Sequence, residues 1–114
     1  MHELGIVKHV INSVSDIAAE NGMSRLSRVK LGVGEVSGVI NDLMADCWEW
    51  YCKKSPLMDG CRLETEVLEA VTYCTACEKE YETVKYGRTC PFCGSGETYL
   101  LRGSECVIKE IEGE

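Results

Sequence analysis

Cys74-Thr75-Ala76-Cys77 and Cys90-Pro91-Phe92-Cys93, with twelve residues between them, are the stretch on which the fold of this chain turns. Each Cys-x-x-Cys pair forms a tight turn whose two sulfurs converge. The intervening segment is long enough for a hairpin over residues 80–86, turning at Gly87-Arg88, that brings the pairs together. Pro91 stiffens the second turn, and Gly94 can adopt a left-handed conformation that aims backbone N–H groups at sulfur. Four thiolates at tetrahedral distance suit Zn(II) and leave no coordination position for water or substrate. The expected site is therefore structural, folding a segment too small to fold alone. Iron in a rubredoxin-like site would use similar ligands. Against iron, the first pair lacks the Pro and Gly of the second, and the remaining sequence shows no sign of an electron carrier.

Working outward, the chain has 114 residues, with 19 acidic against 12 basic side chains. That length predicts one compact domain with a small satellite, burying about two-thirds of its unfolded surface. Such a core holds without disulfides, so the eight cysteines need another explanation. No apolar run reaches the length of a membrane span, and no basic segment followed by an apolar stretch marks a signal peptide. A soluble, cytoplasmic protein is expected, with no membrane partner, and in that reducing compartment clustered Cys point to metal. Nucleic acid is excluded by charge: Lys79, Lys85 and Arg88 are balanced by Glu78, Glu80 and Glu82.

Periodicity supplies the rest of the scaffold. Over residues 4–21, Val7, Val10, Ile11, Val14, Ile17 and Ala18 follow helical spacing, and Gly22 is placed to end the helix. Residues 25–34 switch to period two, with Val29, Leu31 and Val33 opposite Arg28 and Lys30. Ser37-Gly38 reads as a turn. Asn41 or Asp42 would cap a second helix through residue 54, with Leu43, Cys47 and Tyr51, beside Met44 and Trp48, as its apolar face. Pro56 stops it and Asp59-Gly60 turns the chain. Residues 62–72 alternate as one strand, and a last run over 105–111 returns to pair with the earlier strands. The expected fold is α+β: a small sheet with two helices on one face and an inserted four-cysteine, zinc-ribbon-like lobe. Residues 1–72 and 98–114 would form the α+β domain and 73–97 the lobe. Cys47, Cys52, Cys61 and Cys106 form no set, and read as buried free thiols.

Met1-His2-Glu3 is the second informative feature. A free α-amine, the deprotonated His2 amide and the His2 imidazole close two fused chelate rings, a planar nitrogen set favoured by Ni(II) or Cu(II) over Zn(II). Glu3 can add a backbone nitrogen or a carboxylate oxygen. Spacing alone favours an exposed, inert His2 over a ligand, and His9 lies on the polar helix face, where solvation accounts for it.

The Met1-His2-Glu3 start, the segment Gly32-Val33-Gly34-Glu35-Val36-Ser37-Gly38, the paired Cys motifs and the late Arg102-Gly103-Ser104-Glu105 run resemble, in order and spacing, the HypA/HybF family of hydrogenase maturation nickel metallochaperones. The resemblance spans essentially the whole chain. It implies a nickel site at the amino terminus, mapping to His2 and Glu3 with Met1, and a zinc site at Cys74, Cys77, Cys90 and Cys93. It also implies docking with the GTPase HypB and delivery to the hydrogenase large-subunit precursor, and it leaves homodimer formation open. At one position the chain departs from many members: Ile40 stands where they carry an acidic residue, and the nearest carboxylate is Asp42. No nucleophile–base pair or phosphate-cradling loop suggests an enzyme. Two rivals stay open, a zinc-ribbon interaction module with an inert His2 and an iron-bearing redox protein.

Overall fold

The computed structural model describes residues 3–114; Met1 and His2, two of the three expected nickel ligands, lie outside them. The elements run α1 (Glu3–Glu20), β1 (Leu26–Gly34), α2 (Asn41–Cys52), β2 (Arg62–Leu68), β3 (Val71–Cys74), β4 (Lys79–Glu82), α3 (Thr83–Tyr86), β5 (Thr98–Arg102) and β6 (Cys106–Gly113). They build two three-stranded sheets, ordered β2-β1-β6 and β4-β3-β5. A radius of gyration of 17.5 Å and extents of 54 × 27 × 17 Å describe an elongated body, against ~13 Å for a compact chain of similar length.

Helix α1 buries Val7, Val10, Ile11, Val14 and Ala18 of the stripe its spacing predicts, but Ile17 of that stripe is 36% exposed, turned to the edge of the helix's covered face. It ends in a Schellman turn: Gly22 takes φ +66°, Gly22 N–H bonds Ala19 C=O, and Met23 N–H bonds Ala18 C=O at 2.8 Å. Strand β1 lies at the centre of the first sheet, parallel to β2 and antiparallel to β6. Both α1 and α2 cover one face, where Leu26, Val29, Leu31 and Val33 meet Met44, Trp48 and the α1 stripe. On the other face Arg28 bonds Glu64, Glu110 and Glu112 at 2.6, 2.8 and 3.0 Å. One guanidinium thus ties all three strands together, since those carboxylates come from β2 and β6.

Several local expectations are corrected. Helix α2 buries Met44, Trp48 and Cys52, while Leu43 is exposed and Cys47 and Tyr51 only partly buried. The Trp48 indole sets this rotation, because its buried N–H bonds Cys61 C=O at 3.0 Å. The helix is capped at Ile40, with no side-chain bond of its own, instead of at Asn41 or Asp42. The strand read over 62–72 is two strands, because the chain leaves the first sheet at Leu68 and joins the second at Val71. No hairpin turns at Gly87-Arg88: β3 pairs antiparallel with β4, and Gly87 instead closes the short helix α3. Strand β5, undeclared by the sequence pattern, pairs antiparallel with β3.

Candidate metal centre

Cys74 is the last residue of β3, and the tight Cys74/Cys77 turn leads into β4. After Cys77 the chain must reverse, and Glu78 does so at φ +59°, the only non-glycine residue with positive φ among those described. Its N–H bonds Cys74 C=O at 2.9 Å. The second pair repeats this geometry: Gly94 takes φ +75° and its N–H bonds Cys90 C=O at 2.8 Å. The two Cys-x-x-Cys turns are therefore structural copies of one knuckle. Glycine supplies the left-handed residue at one, and a glutamate adopts it under strain at the other.

Further bonds close the second knuckle on itself and tie the first to the segment that follows it. Cys90 N–H bonds Ser95 C=O, and Thr75 N–H bonds Glu97 C=O, both at 2.9 Å. Tyr81, buried in the small core of this lobe with Cys74 and Cys90, anchors its hydroxyl to Gly87 C=O at 2.8 Å. The outcome is a cluster in which the four Sγ atoms of Cys74, Cys77, Cys90 and Cys93 lie within 4.8 Å of one another. Cys74 Sγ is 3.6 Å from Cys93 Sγ, and Cys77 Sγ is 3.6 Å from Cys90 Sγ. A tetrahedral ion with Zn–S bonds of ~2.3 Å would space its sulfurs ~3.8 Å apart. Donor chemistry and spacing fit a tetrathiolate metal.

Protons at this cluster are unevenly held. Burial and hydrogen bonds from its sulfur neighbours push the Cys77 thiol up to about 12. Burial also pushes Cys90 up, but the backbone N–H groups of Cys93 and Phe92 outweigh it and bring that thiol down to about 7. Cys90 of the second knuckle therefore offers a thiolate more readily than Cys77 of the first, and a cation must displace the Cys77 proton. Elsewhere, burial pushes Cys52 up to about 12, reinforced by Cys61, and burial raises Cys61 and Cys106. Thiols held protonated in this way are unreactive, and the reading of all four remaining cysteines as buried holds for two of them. Cys52 and Cys61 are buried, and Cys47 and Cys106 half-buried against the main core.

Apart from this cluster, Glu3 opens α1, which packs on the first sheet. Its carboxylate accepts the Ile40 N–H at 3.3 Å, at the electropositive start of α2 that Ile40 cannot cap itself. The expected nickel residue is therefore seated beside the 37–40 segment. His9 is exposed, in keeping with its place on the polar face. The residue that sequence reasoning passed over is Glu78. Its signal was positional, since it follows Cys77 as Gly94 follows Cys93.

Comparison with known proteins decides the family. The family described as hydrogenase/urease nickel incorporation, metallochaperone, hypA matches residues 1–113. The chain belongs to the HypA family. The hydrogenase maturation factor HypA of Geotalea uraniireducens is 35% identical over 115 residues, covering 100% of both chains. The maturation factor HybF of Klebsiella pneumoniae is 29% identical over 114 residues, again 100% of both. The solution structure of the Ni metallochaperone HypA from Helicobacter pylori superposes with a TM-score of 0.80 at 22% identity, covering 99% of this chain and 97% of that one. That likeness supports the α+β fold read from sequence. The family is one of metallochaperones of hydrogenase/urease nickel incorporation, and its matched members are hydrogenase maturation factors. Among the described residues, no helix is long and apolar enough to cross a membrane.

Proposed function

We propose that Met1, His2 and Glu3 hold Ni(II) as transferable cargo, and that Cys74, Cys77, Cys90 and Cys93 hold a structural Zn(II). The observation that carries this reading is the reach of the family match: it includes residues 1–113, so the Met1-His2-Glu3 chelate falls within it. The two ligand sets have opposed preferences. A planar set of amine, amide and imidazole nitrogens favours Ni(II), and a tetrahedral tetrathiolate favours Zn(II). Residues 1–72 and 98–114 form the nickel-carrying part and 73–97 the zinc-carrying lobe, with β5 (Thr98–Arg102) reaching across to pair with β3.

Delivery proceeds by ligand exchange onto the hydrogenase large-subunit precursor, after docking with the GTPase HypB, in the cytoplasm. A terminal segment can present its metal to an acceptor's ligands without opening a core. Metal binding displaces protons from the imidazole, the amine and the amide, so nickel affinity falls with pH through the range where His and an α-amine titrate. Nickel titration of the zinc-loaded protein, with both metals quantified, tests the division of sites. One nickel per chain with all zinc retained is expected. Stoichiometric release of zinc by nickel would contradict it.

A further inference from the structure

We propose that the free edge of β5 docks a second copy of this chain, which pairs with it antiparallel and joins the two β4-β3-β5 sheets into one of six strands. Four strands of the molecule are sheet edges: β2, β6, β4 and β5. An unpaired edge presents N–H and C=O groups that invite pairing, and charged side chains are a common guard against it. Three of the edges carry that guard. Strand β2 has Arg62, Glu64 and Glu66, β4 has Lys79, Glu80 and Glu82, and β6 has Lys109, Glu110 and Glu112. Strand β5 reads Thr98-Tyr99-Leu100-Leu101-Arg102, with no charge before its last residue. Tyr99 is 52% exposed, and Leu100 and Leu101 are each 39% exposed. Among the described residues, nothing pairs with its outer side.

The charges at its two ends say what fits there. Glu97 just precedes β5 and Arg102 ends it, and both are exposed. Tyr99 stands opposite Tyr73, and Arg102 opposite Val71, two residues apart on β3. Tyr99 and Arg102 therefore share a face, because a register shift after Leu100 takes in Leu101 as an extra residue. The Arg102–Glu80 ion pair at 3.8 Å crosses that same face, since Glu80 stands opposite Tyr73 on β4. By alternation Glu97 belongs to it as well.

An antiparallel pair about a two-fold axis sets residues of one face against each other. With Leu100 and Leu101 counted as one rung, an axis at Tyr99 sets Glu97 against Arg102 of the second copy and Tyr99 against its own counterpart. Both ends gain an opposite-charge pair, and no like charges meet along β5. The apolar middle is covered, and Tyr73 and Tyr99, whose ring centroids lie 5.4 Å apart, become half of a four-tyrosine row. A five-residue edge offers much less than the ~800 Å² per partner of a standard interface, so the association is weak and set by concentration. It uses neither the cysteine cluster nor Glu3, and is independent of which metals they hold.

Sedimentation of the zinc-loaded full chain over a concentration series, with amide exchange by NMR at its two extremes, tests this. Monomer should pass to dimer as concentration rises, and exchange should slow within residues 98–102 but not in β4, the charged edge of the same sheet. Glu97→Lys and Arg102→Glu should each weaken dimerisation about tenfold, as two attractive rungs become repulsive. The double variant should restore it. Net charge alone predicts otherwise: the chain carries −7, so Glu97→Lys would then favour association and Arg102→Glu oppose it. Zinc content checks that each variant keeps its lobe. A chain monomeric at every concentration would leave the edge to an extended segment of another protein and overturn the pairing. So would a dimer that the charge swaps do not weaken and restore in this order, or one that leaves exchange in β5 unchanged.

Discussion

Cys90→Ala should separate the metal-dependent half of this molecule from the half that folds unaided. Cys90 is 1% exposed, its sulfur stands 3.6 Å from Cys77 Sγ, and it accepts Phe92 N–H at 3.4 Å. The buried cluster of this lobe consists of Cys74, Tyr81 and Cys90 with Cys77 packed against it. Two of its three buried members thus belong to the four-thiol cluster, whereas the core under α1 and α2 draws on Trp48, Leu26, Leu31, Met44 and the α1 valines. A structural zinc contributes roughly 10–16 kcal/mol to folding, so one thiolate of four carries about 3 kcal/mol, or ~150-fold in zinc affinity. Chelator competition would read that loss as zinc released at far lower chelator concentration. A ¹⁵N–¹H spectrum should show residues 74–93 collapsing toward random-coil shifts, while amides of α1 and β1 keep their dispersion. A zinc-free chain with a dispersed lobe spectrum would refute the argument that metal, not packing, orders this segment.

Other outcomes follow from the same geometry. Glu78→Gly should stabilise the zinc-loaded lobe by about 0.5–1 kcal/mol, relief of left-handed strain less the added chain entropy; thermal unfolding of the lobe measures it. The Arg28 guanidinium holds Glu110 and Glu112 below the ordinary value of 4.5. Their contribution is therefore complete above that value and lost as pH falls through the lower folded values. Arg28→Met should lower stability at neutral pH and flatten this acid dependence, as read by denaturant melts at pH 7 and below 4.5. Equal acid slopes in both proteins would contradict it.

The parts legible in the sequence are those where one local rule decides the outcome. The α1 stripe, the alternation of Val29, Leu31 and Val33 and the four clustered thiols each follow from spacing alone. Where long-range contacts decide, spacing misleads. Leu43 fits a helical stripe as well as Met44 does, and the buried Trp48 indole bonding Cys61 selects the face that turns inward. Asn41 and Asp42 are good caps by type, yet α2 starts at Ile40 and the acceptor for its N–H comes from Glu3, thirty-seven residues away. The 62–72 run keeps its alternation while changing sheets, since pairing passes from β1 to β4 and β5 around Ala70. Gly34 and Gly103 carry no chemistry in their letters; they are glycine because two backbones and Ala70 leave no space for a Cβ.

The central claim is a nickel chelate closed by the amino terminus, and calorimetric nickel titration of three zinc-loaded proteins tests it most directly. These are the chain starting at Met1, the same chain with one residue added before Met1, and His2→Ala. The extension removes the α-amine as a ligand while keeping His2 and Glu3, and His2→Ala removes the imidazole while keeping the amine. The account predicts one tight site in the first protein, its loss in the other two, and full zinc in all three. An extended chain or a His2→Ala chain that binds nickel as tightly as the first would contradict it.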